Sequence, residues 1–164
     1  MKDVSEREYW QFFVVQQMLK LHVVICSTRP GRVGESVAQW FFDYARRRGT
    51  FEVQLVDLAA VDLPLLDEPN HPRAEKYTKE HTKRWSATVQ DADAFVFVTP
   101  EYNFSPPASL VNALHYLYNE WNYKPCGFVS YGGISGGTRS VESTKGIVTT
   151  LKMMPMVEAV TIPF

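Results

Sequence analysis

Short apolar runs alternate along this chain with stretches whose apolar residues recur at helical spacing. "LKLHVVIC" (19–26) is a β-branched run suited to a strand buried on both faces. Val37, Trp40, Phe41, Tyr44 and Ala45 then repeat at helical spacing and stop at Gly49, which predicts a helix over 35–48. "FEVQLVDL" (51–58) alternates as a strand does, and the proline-punctuated "DLPLLDEPNHP" (62–72) predicts a loop. Tyr77, His81, Trp85, Thr88 and Val89 share one face of a second helix. "AFVFVTP" (94–100) reads as a third buried strand, stopped by its proline, and Leu110, Leu114, Leu117 and Trp121 mark a third helix. "CGFVSYGG" (126–133) is a fourth strand, Val141, Thr144, Val148 and Leu151 a fourth helix, and "VEAVTIPF" (157–164) a fifth strand.

Strands alternating with helices in one domain predict an α/β fold, with a parallel sheet covered on both faces and right-handed crossovers. Residues 18–164 form that domain, and residues 1–17 are read as an N-terminal extension. Within it, "YWQFFVVQQ" (9–17) predicts either an amphipathic helix, with Trp10, Phe13 and Val14 on one side, or a further strand.

Composition narrows the function classes. The 17 basic and 18 acidic residues leave a net charge of −1, which argues against nonspecific nucleic-acid binding. The run Arg46-Arg47-Arg48 before Gly49 is better read as a helix C-terminus facing its own dipole. Cys26 and Cys126 form no CxxC pair and read as buried thiols of a reducing cytosol. No run approaches the ~20 apolar residues of a membrane helix, and the first 17 residues lack the pattern of a signal peptide, so a cytoplasmic protein without membrane partners is expected. His22, His71, His81 and His115 share no i,i+4 spacing, so no metal site is expected. The Rossmann, Walker and G-x-S-x-G patterns are all unmet.

In an open α/β sheet, ligands bind beyond the carboxyl ends of the strands, where the strand order switches. That rule selects "STRPGR" after the first strand, "PEYNFSPP" after the third and "YGGISGG" after the fourth. In the flavodoxin-like order 2-1-3-4-5 these loops converge where a flavin mononucleotide (FMN) would sit. The first loop leads into a helix N-terminus, a ready anion site. Arg29 and Arg32 add charged donors, Ser27, Thr28 and Ser36 neutral ones, and Gly31 and Gly34 let the backbone turn in close. A bound phosphate monoester or an ordinary polar turn with solvated arginines both satisfy that segment. Pro100, Glu101, Tyr102 and Asn103 could edge a flat heteroaromatic ring, or merely turn into a helix begun by Pro107. The glycines from Gly132 and Gly133 onward keep side chains away from a neighbour, or form a flexible lead-in.

Taken in order, "STRPGR", "LPLLDEPNHP", "PEYNFS…P…L…NAL" and "SYGG..GG" resemble the NADPH-dependent FMN reductases, flavodoxin-like flavoproteins that include quinone and azo-dye reductases. The resemblance runs from about Leu19 to Phe164. It implies an open five-stranded parallel sheet of order 2-1-3-4-5 with helices on both faces. It implies an FMN phosphate at Ser27, Thr28, Arg29, Arg32 and the N–H groups near Gly34, with the ring against Pro100, Glu101, Tyr102 and Asn103 and beside Gly132 and Gly133. The activity implied is hydride transfer from NADPH or NADH through FMN to a small acceptor such as a quinone, azo compound or flavin, with no catalytic side chain. The alternative is a flavodoxin-type electron carrier or non-catalytic flavin-binding module. A homodimer or homotetramer is also implied. The sequence departs from the family pattern at Cys26, usually glycine, and at Val111 and His115, commonly Lys and Asp. It also ends at the fifth strand, so the family's last helix is expected to be missing and the extension to cover the surface that helix would bury.

Overall fold

The computed structural model describes residues 18–164, and the segment expected to pack over 9–17 lies outside the described residues. β1 (Lys20–Ile25) is buried along nearly its whole length, His22 included, as befits an interior parallel strand. It pairs in parallel with β2 (Glu52–Asp57) on one side and β3 (Ala94–Pro100) on the other, and β4 (Pro125–Gly132) pairs with β3. The order β2-β1-β3-β4 followed by a fifth position is the flavodoxin-like one expected. That fifth position holds two pieces. β5 (Met154–Pro155) lies opposite Pro125 and Cys126, and β6 (Val160–Pro163) lies opposite Val129 to Gly132. Residues 156–159 span only Gly127 and Phe128 of the partner strand, so the chain bulges between the two pieces. The continuous strand expected over 157–164 therefore begins only at Val160.

Five α-helices are found among the described residues: α1 (Gly34–Arg48), α2 (Leu58–Val61), α3 (Glu80–Asp91), α4 (Ala108–His115) and α5 (Thr138–Thr150). α1 ends at Gly49, left-handed at φ 66°, with three arginines in its last turn opposing the dipole. It packs on the sheet through Ala38, against Val23, Ile25, Val98 and Val129, and through Ala45, against Leu21 and Ala94. These small residues let the helix sit close, and Trp40 and Tyr44 turn outward, 49% and 47% exposed. Of the face expected from spacing, Val37, Phe41 and Ala45 thus pack on the sheet as read, while Trp40 and Tyr44 do not and Ala38 takes part in their place.

α3, α4 and α5 cover the opposite face over the larger core, where Trp85, Phe95, Phe97, Trp121 and Phe128 meet. Phe95 and Trp121 pack edge-on at 5.0 Å. Trp121 is not on α4, which stops at His115; a 3₁₀ turn (Asn119–Trp121) folds it back onto the core. Tyr77 also falls outside the helix expected for it. Its hydroxyl donates to the buried Glu120 carboxylate at 2.8 Å, which Ser86 also donates to at 2.6 Å. Cys26 and Cys126 are free, buried thiols, and burial pushes that of Cys126 up to about 12.

Candidate functional site

The loops after β1, β3 and β4 lie at one end of the sheet and enclose a cleft of about 310 Å³. The β1 loop contributes Arg29, Gly31, Arg32 and Val33, the β3 loop Pro100, Glu101 and Tyr102, and β4 Tyr131 and Gly132, with Phe164 at the rim. A larger cleft of about 450 Å³ lies on the other side of Thr28, between α2, residues 62–65 and α4. It holds neither arginine and no glycine, so the cations expected of the β1 loop face the smaller cleft.

The β1 loop is organised from within. Ser27 is fully buried; its hydroxyl pairs with that of Tyr102 at 2.7 Å and accepts the Arg29 N–H at 3.3 Å. A turn closed by the Arg32 N–H on the Arg29 carbonyl passes through Gly31, left-handed at φ 68°, where a glycine costs least. The two arginines differ. Arg32 donates to the Ser27 carbonyl at 2.9 Å and to Glu35 and Asp57 at 2.6 Å each. Burial of Arg32 would weaken its charge, but these two carboxylates outweigh that and hold its pKa above the usual value. Asp57 also caps α2 by accepting the Ala59 N–H at 2.9 Å, so Arg32 ties the end of β2 to the β1 loop. Arg29 makes no salt bridge among the described residues and is the uncommitted cation of the cleft.

α1 begins behind this loop. Its N-cap, Val33, supplies no side-chain hydrogen bond, so the first-turn N–H groups lack that usual partner. Gly34 opens the helix because nothing larger fits: a Cβ there would lie 2.5 Å from the Tyr131 hydroxyl. That hydroxyl is buried and has no hydrogen-bond partner among the described residues.

The β3 loop is tightly folded. Tyr102 and Ser105 exchange backbone hydrogen bonds at 2.9 and 3.0 Å, and Asn103 and Phe104 between them are both left-handed, at φ 50° and 66°. This is the geometry of a type I′ turn, uncommon for a phenylalanine. The Arg139 guanidinium covers the Phe104 ring at 3.6 Å. The Glu101 N–H goes to the Tyr131 carbonyl at 3.1 Å, so within Pro100 to Asn103 the Asn103 N–H is the one without a partner among the described residues. The Glu101 carboxylate accepts from Ser135 at 2.7 Å and from the Arg139 backbone and guanidinium at 3.1 and 2.7 Å. Burial alone would raise its pKa, but those donors hold it below the usual carboxylate value. Glu101 thereby clamps the β3 tip to the start of α5.

The glycine-rich loop has a structural demand at Gly137, not at its start. A Cβ on Gly137 would lie 2.7 Å from Ser130 Cβ, whereas one on Gly133 would meet nothing within 4 Å. Of the residues singled out from the sequence, Arg29, Arg32, Pro100, Glu101, Tyr102 and Gly132 line one cleft, with Ser27 beneath it and Gly34 behind it. Thr28 lines the neighbouring cleft, and Asn103 and Gly133 stand off both. Asp57, Tyr131, Ser135 and Arg139 were missed. Tyr131 and Asp57 read as ordinary strand positions, and Arg139 carried no local signal at all.

These residues fit FMN. An uncommitted guanidinium, a helix N-terminus without a side-chain cap and a buried unpartnered hydroxyl suit a phosphate monoester. Pro100, Tyr102 and Gly132 offer a low wall for a flat ring.

The profile of the NADPH-dependent FMN reductases matches residues 19–164. An NAD(P)H-dependent FMN reductase of Schizosaccharomyces pombe is 42% identical over 148 residues, covering 88% of this chain and 74% of the relative. A quinone reductase of Pseudomonas putida is 31% identical over 153 residues, covering 88% and 78%. Among solved structures, a flavoenzyme NAD(P)H:(acceptor) oxidoreductase from Paracoccus denitrificans superposes with a TM-score of 0.70 at 23% identity, covering 86% of this chain and 78% of that one, a likeness of fold. The cleft, the strand order and a match over nearly the whole chain converge: the chain belongs to the NADPH-dependent FMN reductase family and is a flavin-dependent NAD(P)H oxidoreductase.

Proposed function

We propose that this chain holds FMN in the cleft between its β1, β3 and β4 loops and reduces a small planar acceptor, a quinone first among them. The observation that carries this reading is Arg29, a cation left without a salt-bridge partner beside the start of α1, while its neighbour Arg32 is neutralised by Glu35 and Asp57. Arg29 and the first-turn N–H groups of α1, which Gly34 leaves open to close approach, would hold the phosphate. Arg32 keeps the loop in shape. The Ser27–Tyr102 hydroxyl pair fixes the tyrosine as one wall, and the Glu101–Arg139 clamp fixes the tip that carries Pro100 and Asn103. Gly132, with no side chain to intrude, edges the cleft on the far side. FMN, when bound there, would supply the redox chemistry between NADPH or NADH and the acceptor. The side chains bind and orient, and none is required as nucleophile or base.

The quinone reductases among the relatives support the acceptor class. Free, buried cysteines accord with a reducing cytoplasm, and no helix of the described residues is long and apolar enough to cross a membrane. A homodimer or homotetramer is the expected assembly. The test is to record the visible spectrum of the purified protein and then add NADPH or NADH without oxygen. Rapid bleaching, with reoxidation by a quinone, supports the enzyme. Bleaching by dithionite alone points instead to an electron carrier, and a colourless protein that refuses FMN refutes both.

A further inference from the structure

Tyr131 is 4% exposed, yet its hydroxyl is a buried polar atom with no hydrogen-bond partner among the described residues. An unpartnered buried hydroxyl destabilises a fold, and a phenylalanine would fill the same space without that penalty. The position is not loose. β4 pairing fixes the backbone, whose carbonyl accepts the Glu101 N–H at 3.1 Å, and the ring packs in the core beneath α1. The hydroxyl lies so close to the first residue of α1 that a Cβ on Gly34 would come within 2.5 Å of it. Burial pushes the phenol pKa up, so the group keeps its proton and can donate.

An acceptor is therefore missing at the start of a 15-residue helix whose cap supplies no side-chain bond, in a cleft that also holds Arg29. The nearby Ser27 and Tyr102 hydroxyls already pair with each other at 2.7 Å. A tetrahedral dianion is the acceptor such donors suit, because it can accept from helix N–H groups, a guanidinium and a phenol at once.

We propose that the Tyr131 hydroxyl donates a hydrogen bond to the phosphate of FMN at the first turn of α1, and so makes the site select the phosphorylated flavin over riboflavin. This rests on the flavin reading above. A purely structural tyrosine would contribute to stability; this one contributes to ligand choice and costs the unliganded fold.

The test titrates flavin-free, full-length protein with FMN and, separately, with riboflavin. Quenching of flavin fluorescence is followed for the wild type and Tyr131→Phe, alongside the thermal midpoint of each without flavin. The variant is expected to raise the FMN Kd by roughly 10- to 100-fold, leave the riboflavin Kd unchanged and keep or raise the midpoint. Equal weakening of both flavins, an unchanged FMN Kd or a lowered midpoint would each overturn the assignment while leaving the flavin reading standing. A wild type that binds neither flavin would remove that reading and this one with it. Gly34→Ala, whose Cβ must displace the hydroxyl, gives a second route: it is expected to weaken FMN more than riboflavin, and the reverse order would count against the proposal.

Discussion

Arg29 and Arg32 stand three residues apart in one loop, and replacing each by alanine separates the two roles assigned to them. Arg32→Ala removes donors to the Ser27 carbonyl, Glu35 and Asp57. Glu35 is 62% exposed and regains water at little cost, but Asp57 is only 27% exposed and the Ser27 carbonyl belongs to a buried residue. Two charge-assisted bonds in partly buried surroundings are lost, each worth about 1.5–3 kcal/mol, with some return from hydration. A net loss of about 2–3 kcal/mol lowers the thermal midpoint by roughly 4–12 °C for a domain of this size. Arg29→Ala breaks no salt bridge among the described residues, so its flavin-free midpoint should move by less than about 0.5 kcal/mol equivalent. Its FMN affinity should fall by about 1.5–3 kcal/mol, roughly 10- to 150-fold in Kd, while the rate of flavin reduction at saturating FMN changes little. Differential scanning fluorimetry on flavin-free protein and FMN titration by fluorescence read the two quantities separately. If Arg29→Ala is the variant that melts early, or keeps wild-type FMN affinity, the division of labour is wrong.

Acid should loosen the loop between α2 and α3 at one carboxylate. Burial would raise the pKa of Glu68, but the N–H groups of Thr78 and Lys79 and the Thr78 hydroxyl outweigh it and hold the group at about 2, against an ordinary 4.5. A depressed carboxylate stabilises above its unfolded pKa, and that stabilisation is lost as pH falls from about 4.5 towards 2. Glu68→Gln should therefore melt below the wild type at pH 6 and approach it at pH 3; parallel melting curves at both values would count against this. In the glycine loop, Gly137→Ala forces a Cβ to 2.7 Å from Ser130 Cβ at φ 88° and should cost about 2–4 kcal/mol by denaturant titration, whereas Gly133→Ala meets nothing and should stay within about 0.5 kcal/mol. Equal effects would show that the loop is not packed against β4 as described.

Period and punctuation along the chain sufficed for the strands and for most helices, because burial writes itself locally, whereas the strand order came from the family resemblance. A short run ending in three β-branched residues, such as residues 20–25, has few other uses than an interior parallel strand, and Gly49 can end α1 wherever the helix packs. The same local logic drew attention to the three loops, since strand ends in an open sheet define where a ligand can reach. It could not assign partners. That Arg32 is neutralised while Arg29 is not depends on Asp57, which lies 25 residues away and reaches the loop only because β1 and β2 pair. Tyr131 looks like any strand residue until α1 is laid over it and its hydroxyl meets Gly34. The outward turn of Trp40 and Tyr44 depends likewise on how closely Ala38 and Ala45 let the helix approach. Spacing tells a chain which elements to form, but charge pairing and unmet hydrogen bonds are properties of distances between elements, and only the packed fold sets those.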